Sequence, residues 1–412
     1  MIRTTTAVFI AALALIVAAC GGSDGGGSEP VASGKATGEI NVWAWGNEGE
    51  ILGELTKQFE AENPGVKVNV TSIPVDAAHD KILTSVAGNQ APDVAMVGTT
   101  WMGELARTQT LDEAPSSIDQ SQFFKGVADT VKVDGKTYGV PWYVETRLLY
   151  YRTDIAEKAG ITEAPKTWDE LKATARAMQD KGGAKFGINL STNNWQEYLP
   201  FVWQAGGDLA KGDEFTLNSP QAAEATAFYK SFADEGLSPN TTKQGFDITP
   251  AFVRGTHPMF FSGPWHMGLI DEAGGKGFDK NWAVAPMPTK QTNTSFVGGS
   301  NWAVFKSTKN RDAAWKFVEW MSKPETQAKW YEVSSDLPAN QAAWKLPALA
   351  EDPNVAIFGK QLENAKSPPP FPKWEEIGTA LNAELDKVIG SGESGEQAAE
   401  QIEQTVDAIG TA

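Results

Sequence analysis

Aromatic and polar residues gather at four places where a predicted β-strand gives way to a loop. Open α/β sheets place their ligand sites at such strand ends, so the four clusters together predict one binding site. The clusters are Trp43-Ala44-Trp45-Gly46-Asn47-Glu48, Gly98-Thr99-Thr100-Trp101, Tyr143-Val144-Glu145-Thr146-Arg147 and Gly263-Pro264-Trp265-His266.

The residue types in these clusters suit a ligand with apolar faces and hydroxyl edges. An indole ring covers the C–H face of a pyranose, while carboxylate, amide and guanidinium groups bond its hydroxyls. The clusters therefore favour a sugar. Packing in the core is the alternative for every Trp, and it stays open for Trp43, Trp142 and Trp302. The ligand is favoured at Trp45, Trp101 and Trp265.

Motifs for nucleophilic, metal or nucleotide chemistry are missing from the sequence. It contains no GxSxG, HExxH or GxGxxG pattern, and one Cys with three dispersed His cannot form a common zinc site. We therefore expect no catalytic residue, no metal and no cofactor. An acid pair for glycoside hydrolysis stays open, since 52 Asp and Glu residues leave many combinations and no motif selects one.

Hydrophobic periodicity predicts the elements that position these clusters. Residues 39–45 alternate as in a strand, a helix follows over 48–63, and residues 66–71 alternate again. With a short apolar strand over 93–97, the order β-α-β-α-β predicts a parallel sheet covered by helices.

Later segments carry clear start and turn signals. Thr167-Trp168-Asp169-Glu170 is a capping box, and Ser219-Pro220 begins another helix. Val133-Asp134-Gly135-Lys136 predicts a hairpin turn. Helical spacing places Trp315 and Trp330 in the core.

Composition and charge limit the classes of function. The chain has 412 residues, 41% of them hydrophobic and 21% charged, which suits two or three globular units. Its formal net charge of −17 repels phosphate backbones, so nucleic acid is not an expected partner.

The first residues predict export and anchoring. Arg3 precedes an apolar run over 7–19 that is too short to span a bilayer, so we predict a signal peptide over residues 1–19. Cys20 with Gly21-Gly22-Ser23 resembles a bacterial lipobox, which implies lipidation of Cys20. Residues 20–38 then comprise this Cys and a flexible Gly/Ser linker, which holds an extracytoplasmic body at the cell membrane.

Several short motifs occur in a specific order and spacing along the mature chain. They resemble those of the extracellular solute-binding proteins (family 1) of bacterial carbohydrate importers of the ABC type. Segments 43–50, 77–82 and 98–102 look most like the maltose-, trehalose- and α-glucoside-binding members. The motifs are Asn63-Pro64-Gly65-Val66, Ala91-Pro92-Asp93-Val94, Tyr138-Gly139-Val140-Pro141, Leu149-Tyr150-Tyr151-Arg152-Thr153-Asp154, Pro165-Lys166-Thr167-Trp168, Gly263-Pro264-Trp265 and Leu337-Pro338-Ala339.

The resemblance implies the two-lobe periplasmic-binding-protein fold (type II). In this α/β architecture each lobe is a mainly parallel sheet flanked by helices, with a hinge between the lobes. Crossings are expected near residues 144–150, 294–300 and 333–342. We accordingly predict an N-terminal lobe of residues 39–146 plus 298–336 and a C-terminal lobe of residues 147–297 plus 337–412.

The resemblance also implies site residues. Trp265 matches the family's stacking Trp, Trp374 matches a second one, and Glu145 matches a hydroxyl acceptor of the crossing loop. Together with the strand-end clusters, the predicted ligand-binding set is Trp45, Asn47, Glu48, Thr100, Trp101, Glu145, Arg147, Asn194, Trp265, His266, Trp302, Asp336 and Trp374.

From this resemblance we expect a carbohydrate-binding lipoprotein that captures an α-glucoside or another di- or oligosaccharide between the lobes. It would act as a monomer, catalyse nothing and deliver the sugar to the membrane permease subunits of an ABC importer. Two alternatives stay open at this point: a secreted glycoside hydrolase, and a sugar-sensing receptor with the same fold.

Overall fold

The computed structural model describes residues 30–241 and 246–411. The predicted signal peptide, Cys20 and the first part of the linker lie outside the described residues. Within those residues, no helix combines the length and the apolar character needed to cross a membrane.

The strands form two main sheets and two short hairpins. In chain order they are β1 (Thr37–Trp45), β2 (Gly65–Ile73), β3 (Val94–Gly98), β4 (Lys132–Val133), β5 (Lys136–Thr137), β6 (Val140–Thr146), β7 (Leu148–Arg152), β8 (Ala210–Lys211), β9 (Glu214–Phe215), β10 (Met259–Ser262), β11 (Trp282–Ala285), β12 (Ser295–Val304), β13 (Leu337–Pro338) and β14 (Ala365–Lys366).

Helices surround these sheets. They are α1 (Gly46–Ile51), α2 (Gly53–Glu62), α3 (Val75–Ala87), α4 (Met102–Arg107), α5 (Lys125–Ala128), α6 (Thr153–Lys158), α7 (Trp168–Asp180), α8 (Trp195–Gln204), α9 (Pro220–Asp234), α10 (Ile248–Val253), α11 (Trp265–Gly274), α12 (Arg311–Met321), α13 (Pro324–Ser334), α14 (Pro347–Ala350), α15 (Pro353–Leu362), α16 (Trp374–Ile389) and α17 (Gly395–Asp407).

The N-terminal unit follows its hydrophobic pattern. Ile40, Val42 and Ala44 are buried on β1, which pairs in parallel with both β2 and β3. The predicted helix after β1 is two helices, α1 and α2, which meet at Leu52. The parallel β-α-β-α-β unit is thus confirmed, and the carboxyl ends of β1 and β3 lie at one edge of the sheet.

Strand direction differs from the expectation in the rest of the molecule. The larger sheet has the order β13-β6-β12-β3-β1-β2, with β14 paired to β12. In it, β12 runs antiparallel to β3 and β6, and β13 runs antiparallel to β6. The smaller sheet, β10-β7-β11, is antiparallel in both of its pairings. The expectation of mainly parallel sheets is wrong for these strands, because β12 runs opposite to β3 and β6 in the larger sheet and β7 runs opposite to β10 and β11 in the smaller one.

The chain passes between the two sheets over short stretches of backbone. Arg147 alone separates β6 in the larger sheet from β7 in the smaller one. Residues 286–294 then lead from β11 in the smaller sheet to β12 in the larger. These passages lie in or beside the crossings expected near 144–150 and 294–300, while the lobe boundaries themselves stay a prediction.

Other local predictions are confirmed. Trp315 and Trp330 are buried in the core. Thr167 forms the capping box of α7, and Ser219 caps α9. The turn Asp134-Gly135, with φ angles of 50° and 78°, joins β4 to β5 as the predicted hairpin.

Candidate functional site

A cleft lies where β1, β3 and β6 end and β12 begins, and it consists of two cavities that share Glu145. The first, which we name the Trp45 cavity, has a volume of about 340 Å³ and is lined by Trp45, Gly98, Thr99, Thr100, Trp101, Glu145, Trp195, Gln196, Phe296, Gly298, Gly299, Trp374, Glu375, Gly378, Thr379 and Asn382. The second, the Trp265 cavity, has a volume of about 270 Å³ and is lined by Glu48, Tyr143, Val144, Glu145, Pro264, Trp265, Ser334, Ser335, Asp336 and Leu337.

Trp45 and Trp101 form one wall of the Trp45 cavity. Their ring centroids are 5.3 Å apart, and Trp45 Nε1 donates a hydrogen bond to the Met96 carbonyl oxygen at 3.2 Å. Trp101 packs on the His79 ring at 5.2 Å. Gly98 makes room for Trp101, since a Cβ at this position would lie 3.1 Å from the indole. Two strand-end indoles are therefore held in fixed orientations at the cavity.

Trp195 and Trp374 form the facing wall. Their rings meet edge to face at 4.8 Å, and they lie at the first turns of α8 and α16. Trp374 is only 2% exposed, so little of its ring reaches the cavity. Thr100 Oγ1 donates to Glu375 Oε1 at 2.9 Å, and this hydrogen bond joins the two walls.

Glu145 lies between the two cavities, and Arg147 holds it from behind. Arg147 Nη1 is 3.4 Å from Glu145 Oε2, and Arg147 Nη2 donates to Gln196 Oε1 at 3.0 Å. The guanidinium also packs against the rings of Trp265 and Phe296, at 4.9 Å and 5.3 Å. Arg147 is buried, so it acts as a positioning residue for Glu145 and Trp265.

Carboxylates gather at the Trp265 cavity. Glu48, Glu145 and Asp336 line it, and Trp330 Nε1 donates to Asp336 Oδ2 at 2.9 Å. Burial, with the nearby Glu48 carboxylate, raises the pKa of Asp336 to about 7, and burial also raises the pKa of Glu48. Burial and the same carboxylates hold the pKa of Tyr143 well above its usual value. This end of the cleft is therefore rich in hydrogen-bond acceptors, and burial disfavours the ionised form of these carboxyl groups.

Trp265 offers the largest open aromatic surface of the cleft. It begins α11, is 43% exposed and lines the cavity that carries its name. Gly263 permits this position, since a Cβ there would lie 2.0 Å from the indole. Arg147 covers part of the ring, and the remaining surface is free to contact a ligand.

The structure brings together most of the predicted ligand-binding residues. Those that line the cleft are Trp45, Glu48, Thr100, Trp101, Glu145, Trp265, Asp336 and Trp374. That these side chains contact a ligand stays a prediction.

Trp302 and His266 lie away from the cleft lining. Trp302 is fully buried, with ring centroids 4.3 Å from Trp142 and 5.8 Å from Phe317, so it packs in the core. The His266 ring turns toward β10, where its Nδ1 bonds Ser262 Oγ at 2.6 Å. Burial lowers the pKa of His266 to about 4. The prediction that these two residues line the site is wrong.

Asn47, Asn194 and Arg147 also lie outside the lining of the cleft. Asn47 is exposed on α1. The Asn194 side chain caps α8 by accepting a hydrogen bond from the Gln196 backbone N–H at 3.0 Å. Arg147 acts through Glu145. The structure thus places these three residues at a surface position, at a helix cap and behind Glu145, and their contact with a ligand stays a prediction.

Several lining residues were absent from the predicted set. Most come from α8 and α16, which reach the cleft by packing against each other. The Asn194 cap marks the start of α8, but no local pattern indicates that this start faces Trp374. The missed residues include Tyr143, Trp195, Gln196, Phe296, Glu375, Thr379 and Asn382.

The cleft offers indole surfaces, carboxylate and amide acceptors and hydroxyl groups. Such a set binds a ligand that has both apolar faces and hydroxyl edges. In residues 30–241 and 246–411, no group of three or more His, Cys, Asp or Glu side chains is placed to hold a metal ion.

Residues 43–328 match the family described as bacterial extracellular solute-binding protein. The chain belongs to this family. The match spans more than half of the sequence and confirms the resemblance seen in the sequence motifs.

Relatives in this family include proteins named for their sugars. The diacetylchitobiose binding protein DasA of Streptomyces coelicolor is 29% identical over 333 residues, which cover 77% of this chain and 77% of that protein. The maltotriose-binding protein of Pyrococcus abyssi is 25% identical over 371 residues, covering 86% and 78% of the two chains.

Solved structures show the same architecture. The sugar-binding protein MalE from Xanthomonas citri superposes with a TM-score of 0.86 at 34% identity, covering 90% of this solute-binding protein and 97% of MalE. This likeness confirms the two-lobe α/β fold of the periplasmic binding proteins.

Proposed function

We propose that this solute-binding protein captures an α-glucoside, or another di- or oligosaccharide, and delivers it to the permease of an ABC importer. The observation that carries the proposal is the cleft itself. It has indoles on facing walls, Trp45 and Trp101 opposite Trp195, which packs on the buried Trp374, and it has Trp265 at its far end. Indole faces bind the C–H faces of sugar rings, and the carboxylates between them accept hydrogen bonds from hydroxyls.

The two cavities, which share Glu145, suit a ligand of more than one sugar ring. Glu145 lies between them and is held by Arg147, so one ligand could occupy both cavities and bond Glu145 at its middle. A monosaccharide would leave one of the cavities without contacts. The names of the relatives, for maltotriose and diacetylchitobiose, support a ligand of this length.

Capture in this proposal depends on hinge closure. The passages between the sheets, at Arg147 and at residues 286–294, are where the backbone would bend. A sugar stabilises the closed state only through contacts that it makes there and not in the open state. The hydrogen bond of Thr100 to Glu375 already joins the two walls of the Trp45 cavity, and opening of the cleft would break it.

The proposal includes anchoring and delivery. Lipidation of Cys20 would hold the protein, as a monomer, at the outer face of the cell membrane beside the permease. Hydrolysis of ATP would belong to other subunits of the importer, and this chain would catalyse no reaction.

Isothermal titration calorimetry with maltose, trehalose, maltotriose and diacetylchitobiose tests the proposal. We expect saturable binding of at least one of them, and no binding of glucose with comparable affinity. Overnight incubation followed by chromatography distinguishes the hydrolase alternative, since turnover of the bound sugar would contradict our proposal. Loss of sugar uptake on deletion of the gene distinguishes transport from sensing.

A further inference from the structure

Among the described residues that line the cleft, acidic side chains outnumber basic ones. Four lining side chains are carboxylates: Glu48, Glu145, Asp336 and Glu375. No Lys, Arg or His belongs to the described residues that line either cavity. Arg147 offsets the charge of Glu145, and the remaining excess of carboxylates favours cations over anions as ligands of the cleft.

Two of the three carboxylates at the Trp265 cavity have only neutral partners. Glu145 pairs with Arg147 at 3.4 Å, the one ion pair formed by a described lining residue of the Trp265 cavity. Asp336 instead accepts from Trp330 Nε1 at 2.9 Å, and Glu48 has the Tyr143 hydroxyl as its side-chain partner. Carboxylates that are partly buried without a counter-ion ionise at a cost, and a cation bonded to them lowers this cost.

Two chemical properties of an ammonium group suit this end of the cleft. It carries three hydrogen-bond donors and a full positive charge, so its bonds to carboxylates are stronger than those of a hydroxyl. It is also attracted to an indole face, and Trp265, which is 43% exposed, lines the same cavity. A sugar hydroxyl would satisfy acceptors but, unlike an ammonium group, would not stabilise the ionised forms of Glu48 and Asp336.

We propose that the Trp265 cavity selects amine-bearing saccharides, whose ammonium group bonds Glu48 and Asp336, over the same saccharides with a hydroxyl in its place. Saccharides with a carboxylate at that position are rejected. This inference rests on the proposed function, because it specifies the class of sugar that the same cleft takes.

Matched ligands test the selectivity by calorimetry. The probes are maltose and trehalose, their amino-deoxy derivatives with one hydroxyl at a time replaced by an amine, and the corresponding uronates. We expect at least one amino derivative to bind about tenfold tighter than its parent, and the uronates to bind weaker than the parent. We expect added salt to reduce the tenfold ratio, since it screens the attraction of charges that are partly exposed.

Variants assign the selectivity to the named carboxylates. In Glu48→Gln and Asp336→Asn, the ratio of parent to amino-sugar Kd should fall toward one. Glu50→Gln is the matched control, because Glu50 is exposed on the same helix as Glu48 and lines neither cavity. Circular dichroism of each variant checks that the fold is retained.

The outcomes separate the two proposals. If a parent sugar binds and no amino derivative binds tighter, amine selectivity is refuted while the proposed function stands. If an amino derivative binds tighter but keeps its full advantage in both variants, the assignment to Glu48 and Asp336 is refuted. If neither the parents nor their derivatives bind, and the broader sugar panel also fails, the proposed function falls and this inference falls with it.

Discussion

Replacing Trp265 by Ala should weaken sugar binding by a magnitude that its exposure sets. Trp265 is 43% exposed, and part of that exposed surface lines the Trp265 cavity. An indole side chain presents about 250 Å², so roughly 110 Å² remains for a ligand to cover. At about 25 cal/mol per Å², covering all of that surface would contribute about 2.7 kcal/mol, which sets the largest expected increase in Kd at about a hundredfold. This value is an upper limit for a sugar that covers only part of the ring.

Titration calorimetry of Trp265→Ala measures this loss directly. Leu269→Ala is the matched control, because Leu269 lies one turn further along α11, is 45% exposed and lines neither cavity. We expect Leu269→Ala to bind like the wild type. A Kd for Trp265→Ala within about threefold of the wild type would refute the contact, since the covered area would then contribute less than about 0.7 kcal/mol.

Three further predictions concern the core, the pH dependence and the contact between the cavity walls. Trp302→Ala should lower the free energy of unfolding by about 3–5 kcal/mol in urea titrations, because its ring is fully buried; an unchanged midpoint would contradict its place in the core. Folding raises the pKa of Asp336 from 3.8 to about 7, so ionisation destabilises the native state as pH rises through this window. The free energy of unfolding of Asp336→Asn, measured relative to wild type in urea, should therefore rise by up to about 4 kcal/mol between pH 4 and pH 8. A difference between the two proteins that does not change with pH would refute the raised pKa. Thr100→Val removes the hydrogen bond to Glu375, so sugar Kd should rise about two- to tenfold in calorimetry; an unchanged Kd would show that this bond adds nothing to the closed state.

Much of the N-terminal unit could be predicted because its signals are local. The alternation of Ile40, Val42 and Ala44 gives the buried face of β1, and two parallel neighbours then place Trp45 at the sheet edge. Trp101 follows β3 in the same way. Since the carboxyl ends of parallel strands lie at the same edge of a sheet, the positions of the strands were enough to predict that these two indoles share one site.

The misplaced residues show where local pattern fails. Trp302 lies on β12, whose residues are buried on both faces, so alternation does not tell which side chains face a ligand. Trp265 and His266 are adjacent on α11, and a helix turns about 100° per residue, so only one of them faces the cleft. Trp195 could not be predicted because its place depends on the contact of α8 with α16.

The direct passage from β6 to β7 explains why the hinge and the site share residues. β6 continues into β7 through one residue, so Glu145 lies in the cleft only three positions before Leu148, where the chain enters the smaller sheet. Arg147, at the passage, binds Glu145 on one side and packs on Trp265 on the other. Any rotation of one sheet against the other must therefore move Trp265 relative to Glu145. A ligand that contacts both residues opposes that rotation, which couples occupancy of the cleft to the angle between the lobes.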